Sequence, residues 1–455
     1  MPILSLNITM NRSQALAKAR TIADQNHLAP HDCDQVAIFH LDDAAKTFIE
    51  IEGGGKNALI DIMYNDLYTP YIWAVRHFKE GDPRQSYIFF KPDGMPYGFE
   101  QHLSEDDPGT TLTSDAARTI AETHAADEWH IDLNAYTLIE TASETQPSGR
   151  LDHTFVYERP DLTIGSGGKY RLRLGVSGDQ FSMLSHVLYI PETFTRHYAQ
   201  MRSANETIAH AANLWYQLFY LLGGCILALL WLGRQRWLLI RTPFLWALFI
   251  ACLVALSKLN QLPIIWINYD TALPAQDFLL TYLTKIVSDL AQAIIPLALG
   301  FIAAESLSRK AFGNQPQLWN VWQFPNAASI AIAGSTLGAY ALVSFDFAYT
   351  SIFYAFTSTH YNWWVPSSQF FDPNILATYL PWLDPAIESL YAGFHEECLF
   401  RAIPLAGAAL IGDRIGKRNQ MITFAIIMQA IVFAAAHANY PGLPSYARLV
   451  ELLLP

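Results

Sequence analysis

The spacing of apolar positions changes along the chain, and each spacing predicts a different kind of element. Residues 13–26 return an apolar side chain every three to four positions, which predicts an amphipathic helix. The runs 36–40 and 47–51 predict strands, as do 86–91 and 96–102 on either side of the Pro92-Asp93-Gly94 turn. The same order then returns. Residues 114–126 predict a helix, and 132–141 and 151–158 predict strands. A further pair, 169–176 and 180–190, flanks Ser177-Gly178-Asp179. Both helices contain the string Ala-Arg-Thr-Ile-Ala, at 19–23 and 117–121, which points to duplication. A helix followed by an antiparallel meander, twice, predicts an α+β soluble domain of two units, 1–105 and 106–210.

From residue 211 the pattern becomes uniformly apolar. Runs at 214–232, 243–259, 278–304, 327–345, 387–411 and 421–438 approach the roughly 20 residues a spanning helix needs. Residues 449–454 read as the start of a seventh. The segment 211–455 is therefore expected to be an all-α polytopic membrane domain. Charge divides the chain at the same place. Residues 1–210 hold 17 Lys+Arg against 29 Asp+Glu, whereas 211–455 hold 12 of each, so the net charge of −12 lies in the first half. An acidic first half argues against nucleic acid as a partner, which needs a basic face.

Basic residues also set an expected orientation. Arg234, Arg236 and Arg241 lie between the first two spans, Arg309 and Lys310 follow the third, and Arg414, Lys417 and Arg418 follow the fifth. The alternate loops, 261–276 and 351–378, contain neither Lys nor Arg. The positive-inside rule places the first set in the cytoplasm and residues 1–210 outside it. Residues 1–10 lack the basic and apolar regions of a secretory signal, so an upstream signal or anchor is expected. Of the four cysteines, Cys225, Cys252 and Cys398 fall in apolar runs and read as packing residues. Cys33 is alone in the first half, so no disulfide framework is expected.

The densest chemistry lies in the fifth apolar run. Glu396, Glu397 and Arg401 occur within one and a half helical turns. Each charge at membrane depth costs about 2.5–3.5 kcal/mol on insertion scales, so three together imply a function. Glu397 and Arg401 are four apart, the spacing at which a carboxylate meets a guanidinium on one helix face. Glu396 is turned about 100° away and free to face something else. The next run ends in Phe433-Ala-Ala-Ala-His437, whose small residues permit close helix approach. A glutamate and a histidine in a recessed site can activate water, the carboxylate taking the proton. The same two side chains are also candidate metal ligands.

Glu-Glu-x-x-x-Arg (Glu396, Glu397, Arg401) followed on the next span by Phe-x-x-x-His (Phe433, His437) resembles the first two motifs of the CPBP superfamily. That family includes type II CAAX prenyl proteases and bacterial Abi-type proteins linked to bacteriocin processing or immunity. The resemblance covers roughly residues 214–455. It implies an intramembrane endopeptidase of a bacterial inner membrane, acting on a peptide or protein substrate. Glu396 would be the general base, Glu397 and Arg401 its structural support, and His437 the group that positions water or stabilises the intermediate. The resemblance leaves metal use open: it is compatible with a metal-independent glutamate mechanism and with a divalent metal such as zinc, which Glu396 and His437 would then hold. The family's third motif, a histidine followed four residues later by Asn or Asp, is not present after His437. The chain is accordingly expected to be part of a longer protein. The soluble half resembles, in pattern, the PepSY-type domain, an extracytoplasmic module found beside proteases, which implies binding or regulation.

Other polar residues carry weaker readings. Lys285 and Asp289 read as a self-satisfying pair, and Glu388 as a solvated residue near an interface. His395 and His360 are candidates for a site entrance. His124, His130 and His153 read as surface residues. Beside the protease reading stands a non-catalytic membrane scaffold or immunity-like protein with the same fold. A transporter relay would need internally repeated membrane halves, and the sequence shows none.

Overall fold

In the computed structural model, residues 6–65, 67–313, 323–367 and 372–453 are described. Two compact units emerge. The first comprises residues 1–196, 260–283 and 370–382, and is built on a sheet. The second comprises 197–259, 284–369 and 383–455, and is helical.

The sheet unit begins with helix α1 (Arg12–Gln25), capped by Asn11, whose side chain accepts from the Gln14 amide while the Gln14 side chain reaches back to the Asn11 amide. Its counterpart α4 (Ser114–Asp127) is capped by Thr113. The buried positions are Ala15, Ala19 and Ala23 on α1, and Ala117, Ala121 and Ala125 on α4. Each set is spaced four apart, one small-residue stripe per helix, and the duplicated string supplies the middle of both. These stripes pack in one hydrophobic core with Phe39, Trp73, Phe90, Phe99, Phe155 and Leu172.

The strands are β1 (Asp34–Leu41), β2 (Tyr71–Lys79), β3 (Asp82–Phe90), β4 (Pro96–His102), β5 (Thr137–Thr145), β6 (Leu151–Ile164), β7 (Gly168–Ser177) and β8 (Gln180–Tyr189). They form one antiparallel sheet in the order β1-β2-β3-β4-β8-β7-β6-β5. Each half is a four-stranded meander with its own helix, as the repeat predicts, yet the halves share a sheet. The seam is short, pairing Phe99 with Leu184 and Glu100 with Met183. Gly98 makes it possible, because a Cβ there would lie 2.3 Å from the Leu184 carbonyl oxygen.

Two expectations fail for physical reasons. Residues 47–51, read as a strand, belong to α2 (Asp43–Glu52), which is followed by α3 (Gly55–Tyr64). Asp42 caps α2 by accepting from the Ala45 amide, and residues 45–50 are then buried all round the helix, so the cap and tertiary burial override the β-branched run. Strand β2 has no counterpart in the sequence reading. It lies between β1 and β3 and is buried at seven of nine positions, which leaves no polar alternation to read.

Buried charge on β2 holds a second segment in the unit. The Arg76 side chain donates from Nη1 to the carbonyls of Trp266, Ile267 and Tyr269 at 3.2, 3.0 and 2.8 Å, and from Nε to Gln85 at 2.8 Å. Residues 372–382 add to the β1 edge, where the Phe39 amide donates to Asn374 Oδ1 at 3.3 Å. Asn260 ties the two segments together, donating to the Leu380 carbonyl and accepting from the Leu380 amide. These contacts shield an edge that would otherwise be open to pairing.

Among the described residues, five helices are long and apolar enough to cross a membrane: α5 (Glu192–Arg234), α6 (Arg241–Asn260), α7 (Ala275–Phe312), α8 (Ile330–Tyr361) and, after two shorter helices, Arg418–Ala436. The shorter helices are α9 (Leu383–Glu396) and α10 (Ile403–Ile415), and the last span is α11. The expected fifth span, 387–411, covers α9 and α10 and is not among the five. Its charges remove it from that class. The expected start of a seventh span falls on α12 (Ala447–Leu452), with Leu454 outside the described residues. The core of the helical unit gathers Cys225 and Leu232 of α5, Ile250 of α6, Phe301 of α7, Phe394 of α9 and Ile403 of α10. Cys398 is buried with them, and all four cysteines are free.

On β2, His77 is 1% exposed and Gln35 Nε2 donates to its Nε2 at 2.7 Å, which requires the neutral ring. Burial holds its pKa down to about 4. The unfolded chain takes up a proton below about pH 6.5, while the native ring does not until about pH 4. Stability is therefore full above pH 6.5 and falls as pH drops towards 4, by about 3 kcal/mol. Denaturant midpoints followed by tryptophan fluorescence should trace this limb, and His77→Gln should flatten it.

Candidate active site

Between α9 and α10 the chain does not stay α-helical. Residues Glu397–Ala402 form a π-helical turn, with Glu396 just before it and Ile403 just after. Such turns are uncommon and are found mostly at functional sites. Here the turn carries the clustered charges. Arg401 donates to Glu397 in an i,i+4 ion pair, as their spacing predicts. That leaves Glu397 occupied and Glu396 available.

Glu396 Oε1 lies 3.8 Å from His437 Nε2. This is an ion-pair distance and too long for a direct hydrogen bond. His437 is the residue that ends α11, and its Nδ1 faces the Phe433 carbonyl at 2.8 Å. A carbonyl only accepts, so Nδ1 carries a proton, and Nε2 is the nitrogen turned towards Glu396. Phe433 also fixes the two helices against each other, its ring meeting Phe400 of the π turn edge-on at 5.3 Å. The side chains of Glu396 and His437 are 37% and 23% exposed, so water can reach both.

The sequence-predicted residues thus divide into two sets. Glu396, Glu397, Arg401 and His437 meet at the end of α11 and the start of the π turn. Lys285 and Asp289 pair with each other at 3.0 Å on α7, as expected. Glu388 is exposed. The rings of His395 and Tyr391 stack at 5.2 Å on α9, and His360 turns its Nδ1 to the Phe356 carbonyl. His124 pairs with Glu128. His153 corrects the surface reading: it is 3% exposed, with Nδ1 2.8 Å from Ser143 Oγ and Nε2 2.9 Å from the Leu112 carbonyl. A ring satisfied at both nitrogens can be buried at little cost.

Three residues stacked and paired behind His437, namely Tyr440, Arg448 and Glu451, were not picked out from the sequence. The Tyr440 ring lies parallel to His437 at 6.1 Å, and the Arg448 guanidinium sits 5.6 Å above Tyr440. Arg448 pairs with Glu451, which is 2% exposed and also accepts from Tyr354. The Arg-x-x-Glu spacing at 448–451, inside an apolar run, was the available signal. As for a metal, among the described residues no group of three or more His, Cys, Asp or Glu side chains is placed to hold one. Catalytic zinc takes three protein ligands. Glu396 and His437 supply two among the described residues.

Comparison of the chain with protein-family models, with curated proteins and with solved structures finds no match.

The register of the π turn depends on how closely α5 approaches Ile403. A Cβ on Gly224 would lie 2.4 Å from Ile403 Cγ2. Gly224→Ala should therefore push the two helices apart and cost about 1–3 kcal/mol, read as a lower thermal midpoint of the detergent-solubilised protein.

Proposed function

We propose that the chain is an intramembrane endopeptidase of CPBP type that hydrolyses a peptide bond with water activated by Glu396. The observation that carries this reading is the approach of Glu396 to His437 across two helices, with Glu397 already engaged by Arg401. A water about 2.8 Å from both Glu396 Oε1 and His437 Nε2 can donate one hydrogen to each. Its oxygen lone pairs then face a substrate carbonyl. Glu396 takes a proton as the water oxygen bonds to the carbonyl carbon, giving a tetrahedral intermediate. The carbon–nitrogen bond then breaks, and the proton on Glu396 passes to the leaving amine. Arg401 serves by holding Glu397, and no step uses a metal.

Glu396→Gln keeps the size and loses the base. In membranes from cells making the wild-type chain, terminus-selective proteomics should find new protein termini, and the variant should lower their yield at least 100-fold at an unchanged thermal midpoint. Equal yields would remove Glu396 from the role of base and favour the scaffold reading.

The same reading includes an orientation. The segments 260–283 and 370–382 belong to the sheet unit, and the sequence between residues 261 and 276 has no basic residue. By the positive-inside rule that side is extracytoplasmic, in a bacterial inner membrane. The paired helix-and-meander halves accord with a PepSY-like module that binds substrate or a regulator there. Protease added to spheroplasts should clip within residues 1–196, whereas complete protection would reverse the orientation.

A further inference from the structure

A groove of about 500 Å³ runs between α5, α10 and α11. Its lining runs from Trp215 to Trp231 on α5, and continues with Gly407 and Arg414 on α10 and Phe424 on α11. Arg414 is the only charged residue lining it. The groove is thus an apolar channel with one cationic end.

That end is built from cations on aromatic rings. The Arg414 guanidinium lies 5.0 Å from the Trp231 ring centre, and Lys310 Nζ lies 4.7 Å from the same ring and 5.6 Å from Trp237. The nearby acids are already engaged: Asp413 pairs with Arg418, and Glu305 with Arg309. Arg414 has no carboxylate partner among the described residues. Positive charge beside interfacial tryptophans suits an anionic headgroup.

The lining decides what the groove takes. Its walls are apolar and aromatic and its one charged lining residue, Arg414, is a cation, so an occupant with an apolar tail and an anionic head matches it from end to end.

We propose that this groove is a binding site for an anionic phospholipid, with one acyl chain along the groove and its phosphate at Arg414 and Lys310. Surrounding lipid tails are as apolar as the groove, so the chain alone gives no preference over bulk lipid. Selectivity must come from the headgroup.

The test uses the full chain in nanodiscs of phosphatidylglycerol and phosphatidylcholine with identical acyl chains, released into native mass spectrometry. The wild type should retain phosphatidylglycerol by roughly tenfold over phosphatidylcholine. Arg414→Gln should bring the two lipids close to parity. Gly407→Leu should lower the retention of both, because a Cβ at this position meets no atom within 4 Å and the added side chain would fill the groove. Thermal midpoints of both variants should match the wild type. Equal retention by the wild type, a preference that survives Arg414→Gln, or full retention by Gly407→Leu would each overturn the proposal. If Gly407→Leu lowers the midpoint, Gly407→Val takes its place with the same expected outcome.

Discussion

The cost of charge inside an apolar helix governs the helical unit. Two carboxylates and a guanidinium stand within six residues, where each would cost a few kcal/mol if left alone in hydrocarbon. The chain lowers that cost in two ways. Arg401 and Glu397 neutralise each other, and Glu396 faces the imidazole that ends α11. The π turn carries Glu397 and Arg401, and Glu396 directly precedes it. The same three charges, and not the turn, keep this segment out of the class of long apolar helices.

The sheet unit meets the same kind of cost differently. Arg76 is 5% exposed on a central strand, and five hydrogen-bond donors leave it expensive unless acceptors surround it. Three backbone carbonyls of residues 266–269 and Gln85 supply them. A buried cation with neutral acceptors gains less than an ion pair, but it specifies which backbone must lie against β2. Residues 260–283 are therefore as much a part of this unit as the strands are, although Arg76 and the carbonyls it binds lie 190–193 residues apart in sequence, and nothing in their apolar spacing announces the contact.

How much was legible follows from where each signal lived. The helices α1 and α4, every strand except β2 and the Glu397–Arg401 pair are short-range features, so their spacing was enough. So was the pairing of Lys285 with Asp289. The encounter of Glu396 with His437 was readable only as two motifs, since the distance depends on how α11 packs against the π turn. Strand β2 was hidden because burial on both faces erases alternation. Residues 47–51 misled because a β-branched run outweighed the Asp42 cap in the reading. His153 looked like a surface residue because its hydrogen-bond partners are Ser143 of β5 and the Leu112 carbonyl, neither adjacent in sequence.

The groove and the charge cluster share one physical origin. α10 starts directly after the π turn, so the register that turns Glu396 towards His437 also sets the face that α10 presents to α5. On that face Ile403 closes against Gly224, while Gly407 opens on the groove. A small residue serves opposite ends at the two positions: at 224 it lets helices touch, and at 407 it keeps space between them. Two turns further on, Arg414 brings the apolar channel to a charged end. Changing the register of α10 by one residue would rotate Ile403, Gly407 and Arg414 together.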